Sequence, residues 1–149
     1  MRRFEVTEGS EGVGLTGYGR TLEELCAHLA LGMFGLRADV TMVQPMATVP
    51  VIAQADDLDR LVVAWLQELL VAAHRDGLVF MNCRVHQVAP TAMNWEAVGQ
   101  ALDPERHTLY RELATVTGGA GVVRRDGDLW VAHVVFPLGG TKEPRRAGS

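Results

Sequence analysis

The sequence has few of the residues that build a nucleophilic site, a disulfide-stapled domain or a membrane span. Its 149 residues include only two cysteines, Cys26 and Cys83, and neither belongs to a C-x-x-C pair. Ser10 is the only serine before the last residue, and it lacks the G-x-S-x-G pattern that presents a nucleophile. No apolar run approaches the roughly 18 residues of a membrane-spanning helix. We therefore expect a protein that is not itself an enzyme and does not enter a membrane.

Positive charge is also scarce. The net charge is −4 and the pI is about 5.7, with the arginines scattered along the chain or near its end. A protein that grips nucleic acid directly usually presents a basic face. The composition therefore predicts no tight, direct binding of nucleic acid.

Several features predict a cytoplasmic location. Both cysteines lie in apolar periodic segments, which is typical of buried free thiols in a reducing compartment. Met1-Arg2-Arg3 leads directly into the strand-like segment Phe4-Glu5-Val6, without the apolar stretch of a signal peptide.

Two amphipathic helices are the clearest elements. Thr21-Leu22-Glu23-Glu24 is a capping box, and apolar residues follow it at helical spacing as far as Phe34. Gly35 is placed to end this first helix. The second helix is predicted to begin at Asp56-Asp57 and to end near Asp76-Gly77. Because each helix has one apolar stripe, each should cover a sheet.

The remaining segments alternate or are apolar in the manner of strands. The predicted strands are Phe4 to Thr7, Val13 to Tyr18, Thr48 to Ala53, Leu78 to Val88, Met93 to Ala101, Tyr110 to Thr117, Gly121 to Arg125 and Leu129 to Phe136. The Asp-Gly of Arg125-Asp126-Gly127-Asp128 predicts a tight hairpin, and the apolar last strand should be central. The pattern indicates an α+β fold, with helices packed on mixed or antiparallel β-sheet, over residues 1–138. Residues 139–149 contain no core positions and are predicted to be a disordered tail.

Two short segments contain candidate site residues. Glu8 and Glu11 could line a site for Ca²⁺ or Mg²⁺, which prefer oxygen ligands, or they could simply form a solvated acidic loop. Asp103-Pro104-Glu105-Arg106-His107 is a turn motif. It could present Arg106 and His107 to a partner or a phosphate, or it could be purely structural.

Four segments taken together resemble the archease family, which is known for activating the RNA-splicing ligase. In chain order they are Gly17 to Glu24, Ala30 to Phe34, Asp57 to Leu70 and Gly99 to His107. The resemblance covers nearly all of residues 4–138. It implies an α+β fold and a role in promoting guanylylation and turnover of an RNA ligase in tRNA splicing or RNA repair. It also implies a divalent metal held by two aspartates.

The positions that correspond to the family's polar site residues differ in this chain. The family motif D-H-T-A-D-I-G is Glu8 to Gly14 here, with Gly12 in place of the metal-binding aspartate and Gly9 in place of the histidine. Pro137 stands in place of the second aspartate. The family's lysine and its T-Y-H correspond to Ala114 and to residues 117–119.

Two hypotheses follow from this combination of retained scaffold and replaced site. The first is an accessory protein that promotes the activity of an RNA-splicing ligase, with Glu8 and Glu11 as substitute ligands for the metal. The second is an archease-like binding module that has lost metal binding and serves another protein partner. An independent hydrolase would need a nucleophile and base that the sequence does not reveal.

Overall fold

The computed structural model describes residues 2–118 and 121–137, and the predicted tail over residues 139–149 lies outside them. The helices are α1 (Leu22–Arg37) and α2 (Leu58–Asp76), and a short 3-10 turn covers Val40–Met42. The strands, in chain order, are β1 (Phe4–Gly9), β2 (Gly12–Gly19), β3 (Ala47–Gln54), β4 (Leu78–Ala89), β5 (Ala92–Ala101), β6 (Val123–Asp126) and β7 (Leu129–Pro137).

These strands form two antiparallel sheets. The first sheet has the order β1-β2-β7-β6, and the second has the order β3-β5-β4. The predicted α+β class is confirmed, and β7 is central in the first sheet as expected. The predicted Asp-Gly hairpin joins β6 to β7, with Asp126 opposite Leu129 and Gly127 at φ 61°.

Side chains cap both helices as the sequence predicts. The Thr21 hydroxyl accepts the Glu24 N–H at 3.1 Å, and the Glu24 carboxylate reaches back to the N–H of Arg20 at 2.9 Å. The Asp57 carboxylate accepts the N–H of Arg60 at 2.9 Å at the start of α2. Gly77 ends α2 in the left-handed conformation, at φ 63°, which glycine adopts without steric cost. Local chemistry therefore sets three of the four helix ends.

The end of α1 differs from the prediction at Gly35. The helix continues to Arg37, because Leu36 and Arg37 are buried and hold the last turn against the fold. Arg37 Nη1 donates to the Leu78 carbonyl at 3.3 Å. Gly35 is exposed inside the helix, where glycine costs about 1 kcal/mol relative to alanine. Burial of the last turn outweighs that cost.

The prediction of a strand over Tyr110 to Thr117 is wrong. Instead of pairing with another strand, the backbone of this segment bonds to a side chain of α2. The Gln67 side chain from α2 donates to the Ala114 carbonyl at 3.1 Å and accepts the Val116 N–H at 3.2 Å. Only Thr117 makes a strand-like bridge, to Val135 of β7. The segment is therefore an irregular chain that covers the core.

The core lies between the two sheets and contains both helices. Residues of α1 pack on β2 and β4, whereas α2 packs chiefly on β3 and β4. The indoles of Trp65 in α2 and Trp95 in β5 stack with ring centroids 4.7 Å apart, and both are buried. Trp65 Nε1 also donates to the Cys26 carbonyl in α1 at 3.2 Å. This indole pair connects both helices to the second sheet.

Both cysteines are free and buried, and we expect neither thiol to react with a disulfide reagent in the native protein. Burial raises the pKa of the Cys83 thiol to about 12, and burial, with Cys83 nearby, raises the pKa of Cys26. The thiolate is the reactive form, so its absence at pH 8 protects both residues. Colorimetric thiol titration should detect no thiol in buffer and both in guanidinium chloride. Rapid native labelling would contradict this burial.

The same raised pKa values give stability a pH dependence in the alkaline range. A thiol whose pKa is higher when folded contributes stability that is fully present below its unfolded pKa, near 8.5. That contribution falls as pH rises toward the folded pKa of Cys83, about 12.

Candidate functional site

The family motif lies at one end of the first sheet, where the β1–β2 hairpin meets the end of β7. Gly9 pairs with Gly12 across the turn formed by Ser10 and Glu11. On its other side, Gly12 lies opposite Pro137 in register. The two positions that the resemblance assigns to metal-binding aspartates are therefore neighbours in this fold, although neither residue has a side-chain oxygen.

A shallow pocket of about 250 Å³ opens here on the outer face of the first sheet, and we call it the motif pocket. Val13 and Leu15 point into the core, so the alternate residues Gly12 and Gly14 face outward. The residues that line the motif pocket are Thr7, Gly9, Ser10, Glu11, Gly12, Gly14, His133 and Val135. It combines small residues, hydroxyl groups, one imidazole and one carboxylate.

Glycine at position 14 lets the side chains of Thr7 and His133 close over the strand. A Cβ at this position would lie 2.6 Å from Thr7 Oγ1 and 3.0 Å from His133 Cε1. The His133 ring is held in place, since its Nδ1 shares a hydrogen bond of 2.8 Å with Thr16 Oγ1. On the far side of β7, Thr117 pairs with Val135. Residues from three parts of the chain therefore frame the motif pocket, and Gly119 lies outside the described residues.

Gly12 has a backbone conformation that excludes other residues. Its φ is 148°, and a Cβ there would lie 2.1 Å from the carbonyl oxygen of Phe136 in β7. Real Cβ atoms do not approach a backbone oxygen this closely, so any side chain at position 12 requires the strands to separate. Position 12, which the resemblance assigns to a metal-binding aspartate, therefore has no space for a side chain between β2 and β7.

The residues present do not fit a bound Ca²⁺ or Mg²⁺ ion. Glu11 lines the motif pocket, but Glu8 does not, because it lies on the other face of β1 and pairs with Arg111 at 2.6 Å. These ions take about six oxygen ligands or more. Over residues 2–118 and 121–137, no group of three His, Cys, Asp or Glu side chains could hold a metal ion. The cation expected at Glu8 and Glu11 stays a prediction from the sequence alone.

The two candidate partner-binding residues of the 103–107 turn differ in their exposure to solvent. Arg106 is exposed, whereas His107 is only 4% exposed and makes its contacts inside the turn. His107 Nδ1 accepts the Asp103 N–H at 2.9 Å. Its Nε2 therefore carries the proton and donates to the Met42 carbonyl and Gln100 Oε1, both at 3.1 Å. Partner binding by these residues stays a prediction, with His107 placed to position the turn that presents Arg106.

Replacing His107 by alanine should lower the free energy of unfolding by about 2 kcal/mol, since it removes a buried side chain and its part-buried hydrogen bonds to the Asp103 N–H and the Met42 carbonyl. Replacing the exposed Arg106 by alanine should change it by less than about 0.5 kcal/mol. Urea unfolding followed by tryptophan fluorescence measures both changes. Equal stability of the two variants would show that the His107 contacts contribute little.

Sequence reasoning missed His133 and Thr16 as residues of the site. Even-numbered residues of β2 are small or polar and odd-numbered ones face the core, so alternation alone places Thr16 and Tyr18 outward. The partner positions on β7 depend on register, which short-range patterns do not specify.

No helix in the described part of the chain is both long enough and apolar enough to cross a membrane. The fold and the motif pocket together define a small α+β protein whose first sheet has an open outer face. The family model described as "Archease protein family (MTH1598/TM1083)" matches residues 4–137. The chain therefore belongs to the archease family.

Curated relatives and solved structures agree with this assignment. "Protein archease" of Thermococcus gammatolerans is 37% identical over 121 residues, covering 78% of this chain and 84% of the relative. "Protein archease" of Pyrococcus furiosus is 30% identical, covering 91% and 98% of the two chains. The solution structure of Methanobacterium thermoautotrophicum protein 1598 matches with a TM-score of 0.79 at 26% identity, covering 93% of this chain and all of that one.

Proposed function

We propose that this protein is a non-catalytic accessory factor that promotes the activity of an RNA-splicing ligase. The family match over residues 4–137 carries the proposal. The pairing of Gly12 with Pro137 supports it, because the two positions that the resemblance assigns to aspartates are neighbours in an intact strand framework. On this account the protein works by contact with the ligase and supplies no metal ion of its own.

The chemistry of the motif pocket supports a non-catalytic role. His133 Nδ1 is bonded to Thr16, so this nitrogen is not directed at the hydroxyl of Ser10. Burial raises the pKa of both thiols, which makes Cys26 and Cys83 poor nucleophiles. Free buried thiols also agree with the cytoplasmic location that we propose.

The hairpin tip at Ser10 and Glu11 is the part of the motif end best placed to meet a partner. Both residues are exposed at the turn of the β1–β2 hairpin, and the open motif pocket lies beside them. The ion pair between Glu8 and Arg111 ties this hairpin to the loop that follows the 103–107 turn. A partner that accepts the tip would meet a carboxylate, hydroxyl groups and an imidazole.

Affinity capture tests this proposal with the tagged protein in lysate of the organism that encodes it, followed by mass spectrometry. We expect recovery of an RNA-splicing ligase, and at least a tenfold loss of it with Glu11→Arg, because charge reversal at an interface is strongly unfavourable. Glu68→Arg makes the same change on an exposed position of α2 and should retain the ligase. Absence of ligase from the captured proteins, although it is present in the lysate, would contradict the proposal.

A second function is favoured by one observation, the close contact of Gly12 with Phe136. A glycine in this contact leaves no space for the metal-binding aspartate that the family resemblance implies at position 12. The protein would then be a binding module for a different protein partner. Reproducible capture of one other protein, in place of the ligase, would support this alternative.

A further inference from the structure

We propose that the end of the first sheet opposite the motif pocket binds single-stranded nucleic acid weakly, through phosphate contacts from Arg2, Arg20 and Arg124 and base stacking on Tyr18. This inference does not depend on the ligase proposal. A cavity of about 680 Å³ lies here, lined by Arg2, Tyr18, Arg20, Asp128 and Leu129. We call this region the arginine corner.

The fold brings together arginine side chains that are scattered along the sequence. Tyr18 lies opposite Val131, and Val131 lies opposite Arg124, so all three side chains share the outer face of the first sheet. Arg2 and Arg20 border the same cavity as Tyr18. Arg2 and Arg20 thus border the cavity beside Tyr18, and Arg124 lies on the same sheet face two strands away.

Two of these arginines have no acidic partner among the residues that the structure describes. Arg2 pairs with Glu5, but no carboxylate lies within ion-pairing distance of Arg20 or Arg124. A guanidinium group without a carboxylate partner has its N–H donors available for another anion. Phosphate suits these donors, because it can accept two parallel hydrogen bonds from one guanidinium group.

The width of the arginine corner favours an extended phosphate chain over a single ion. From Arg2 beside β1 to Arg124 in β6 the sheet crosses three strand spacings, roughly 14 Å. A single phosphate spans only a fraction of that distance, whereas a few linked nucleotides span all of it.

Tyr18 gives the corner its preference for nucleic acid over other polyanions. Its ring is half-buried on the open sheet face, and its hydroxyl donates to Glu5. That hydrogen bond is the main cause of a raised pKa for Tyr18, so the phenol stays neutral. An aromatic ring fixed on a sheet between cations is a platform on which an unpaired base can stack.

The carboxylates nearby explain why binding should be weak. Asp128 lines the cavity, and Asp126 lies at the hairpin beside it. With Glu5, which pairs with Arg2, these carboxylates equal the three arginines in number, so binding depends on Arg20 and Arg124, which have no carboxylate partner among the described residues. We expect a micromolar Kd at low ionic strength that weakens steeply with salt. This agrees with the absence of tight binding predicted from composition.

Fluorescence anisotropy with a labelled oligouridylate of about eight nucleotides, in about 50 mM salt, tests the proposal. The double variant Arg20→Gln/Arg124→Gln should weaken binding at least tenfold and reduce the salt slope by about two. Tyr18→Leu should weaken it roughly tenfold, whereas Tyr18→Phe should retain most of the affinity. The double variant Arg75→Gln/Arg84→Gln removes the same charge where each arginine already has a carboxylate partner, and should bind normally.

Three results would overturn this inference. The first is no change in anisotropy at low salt with the folded wild-type protein. The second is equal weakening by the two double variants, which would indicate net charge alone. The third is equal competition by polyglutamate, which would show that the arginine corner takes any acidic chain, including an acidic protein segment. Thermal melts of each variant confirm that the fold is intact before binding is measured.

Discussion

Substituting Gly12 by aspartate should destabilise the protein and should not restore a metal site. The new Cβ would lie 2.1 Å from the Phe136 carbonyl oxygen, at a φ of 148° that other residues rarely adopt. Forcing apart two strands that border the core should cost about 3 kcal/mol, which lowers the melting temperature by roughly 10 °C. Pro137 opposite supplies no side-chain oxygen to complete a ligand set, so calorimetric titration with Ca²⁺ or Mg²⁺ should give no binding heat.

Gly9→Asp is the matched control for this substitution. A Cβ at Gly9 would meet the Gly12 carbonyl oxygen at 3.5 Å, an ordinary contact, so the same side chain should be tolerated three residues earlier. Comparable melting temperatures for Gly12→Asp and wild type, or saturable metal binding by the variant, would show that the motif end can return to the family's form.

Replacing Trp65 by phenylalanine should cost about 3 kcal/mol, clearly more than the same replacement at Trp95. Both indoles are buried and stacked on each other, so the loss of volume is similar. Trp65 Nε1 donates to the Cys26 carbonyl, which Trp65→Phe leaves without this donor. Trp95 Nε1 has no hydrogen-bond partner among the described residues, so Trp95→Phe removes an uncompensated polar group.

Chemical denaturation of the two variants measures this difference directly. We expect Trp95→Phe to cost about 1 kcal/mol, which leaves a gap of about 2 kcal/mol between the variants. Equal losses would mean that the hydrogen bond of Trp65 contributes nothing net to stability.

The sequence was sufficient for elements whose determinants are local. The capping box at Thr21, the Asp57 cap and the Gly77 terminus each involve residues within one helical turn, and all three were predicted correctly. The predicted helix end at Gly35 was wrong, because the tendency of glycine to end a helix is opposed by the burial of Arg37. That burial depends on Leu78, which lies in a strand far away in the chain.

Features that depend on long-range pairing could not be predicted from residue patterns. Glu8 and Glu11 are three residues apart, yet strand alternation and the hairpin turn leave only Glu11 in the motif pocket. The strand expected over Tyr110 to Thr117 does not form, because the side chain of Gln67 bonds to the backbone of this segment. The arginine corner arises only when β2, β6 and the start of β1 meet.

Multiple-turnover RNA ligation is the most direct test of the proposed accessory role. Purified RNA-splicing ligase from the same organism would be assayed with excess RNA, guanosine triphosphate and the ligase's own metal, with and without an equimolar amount of this protein. We predict that the protein raises the number of RNA ends joined per ligase, that Glu11→Arg abolishes the increase, and that Glu68→Arg leaves it intact. Identical ligation with and without the folded protein would contradict the account.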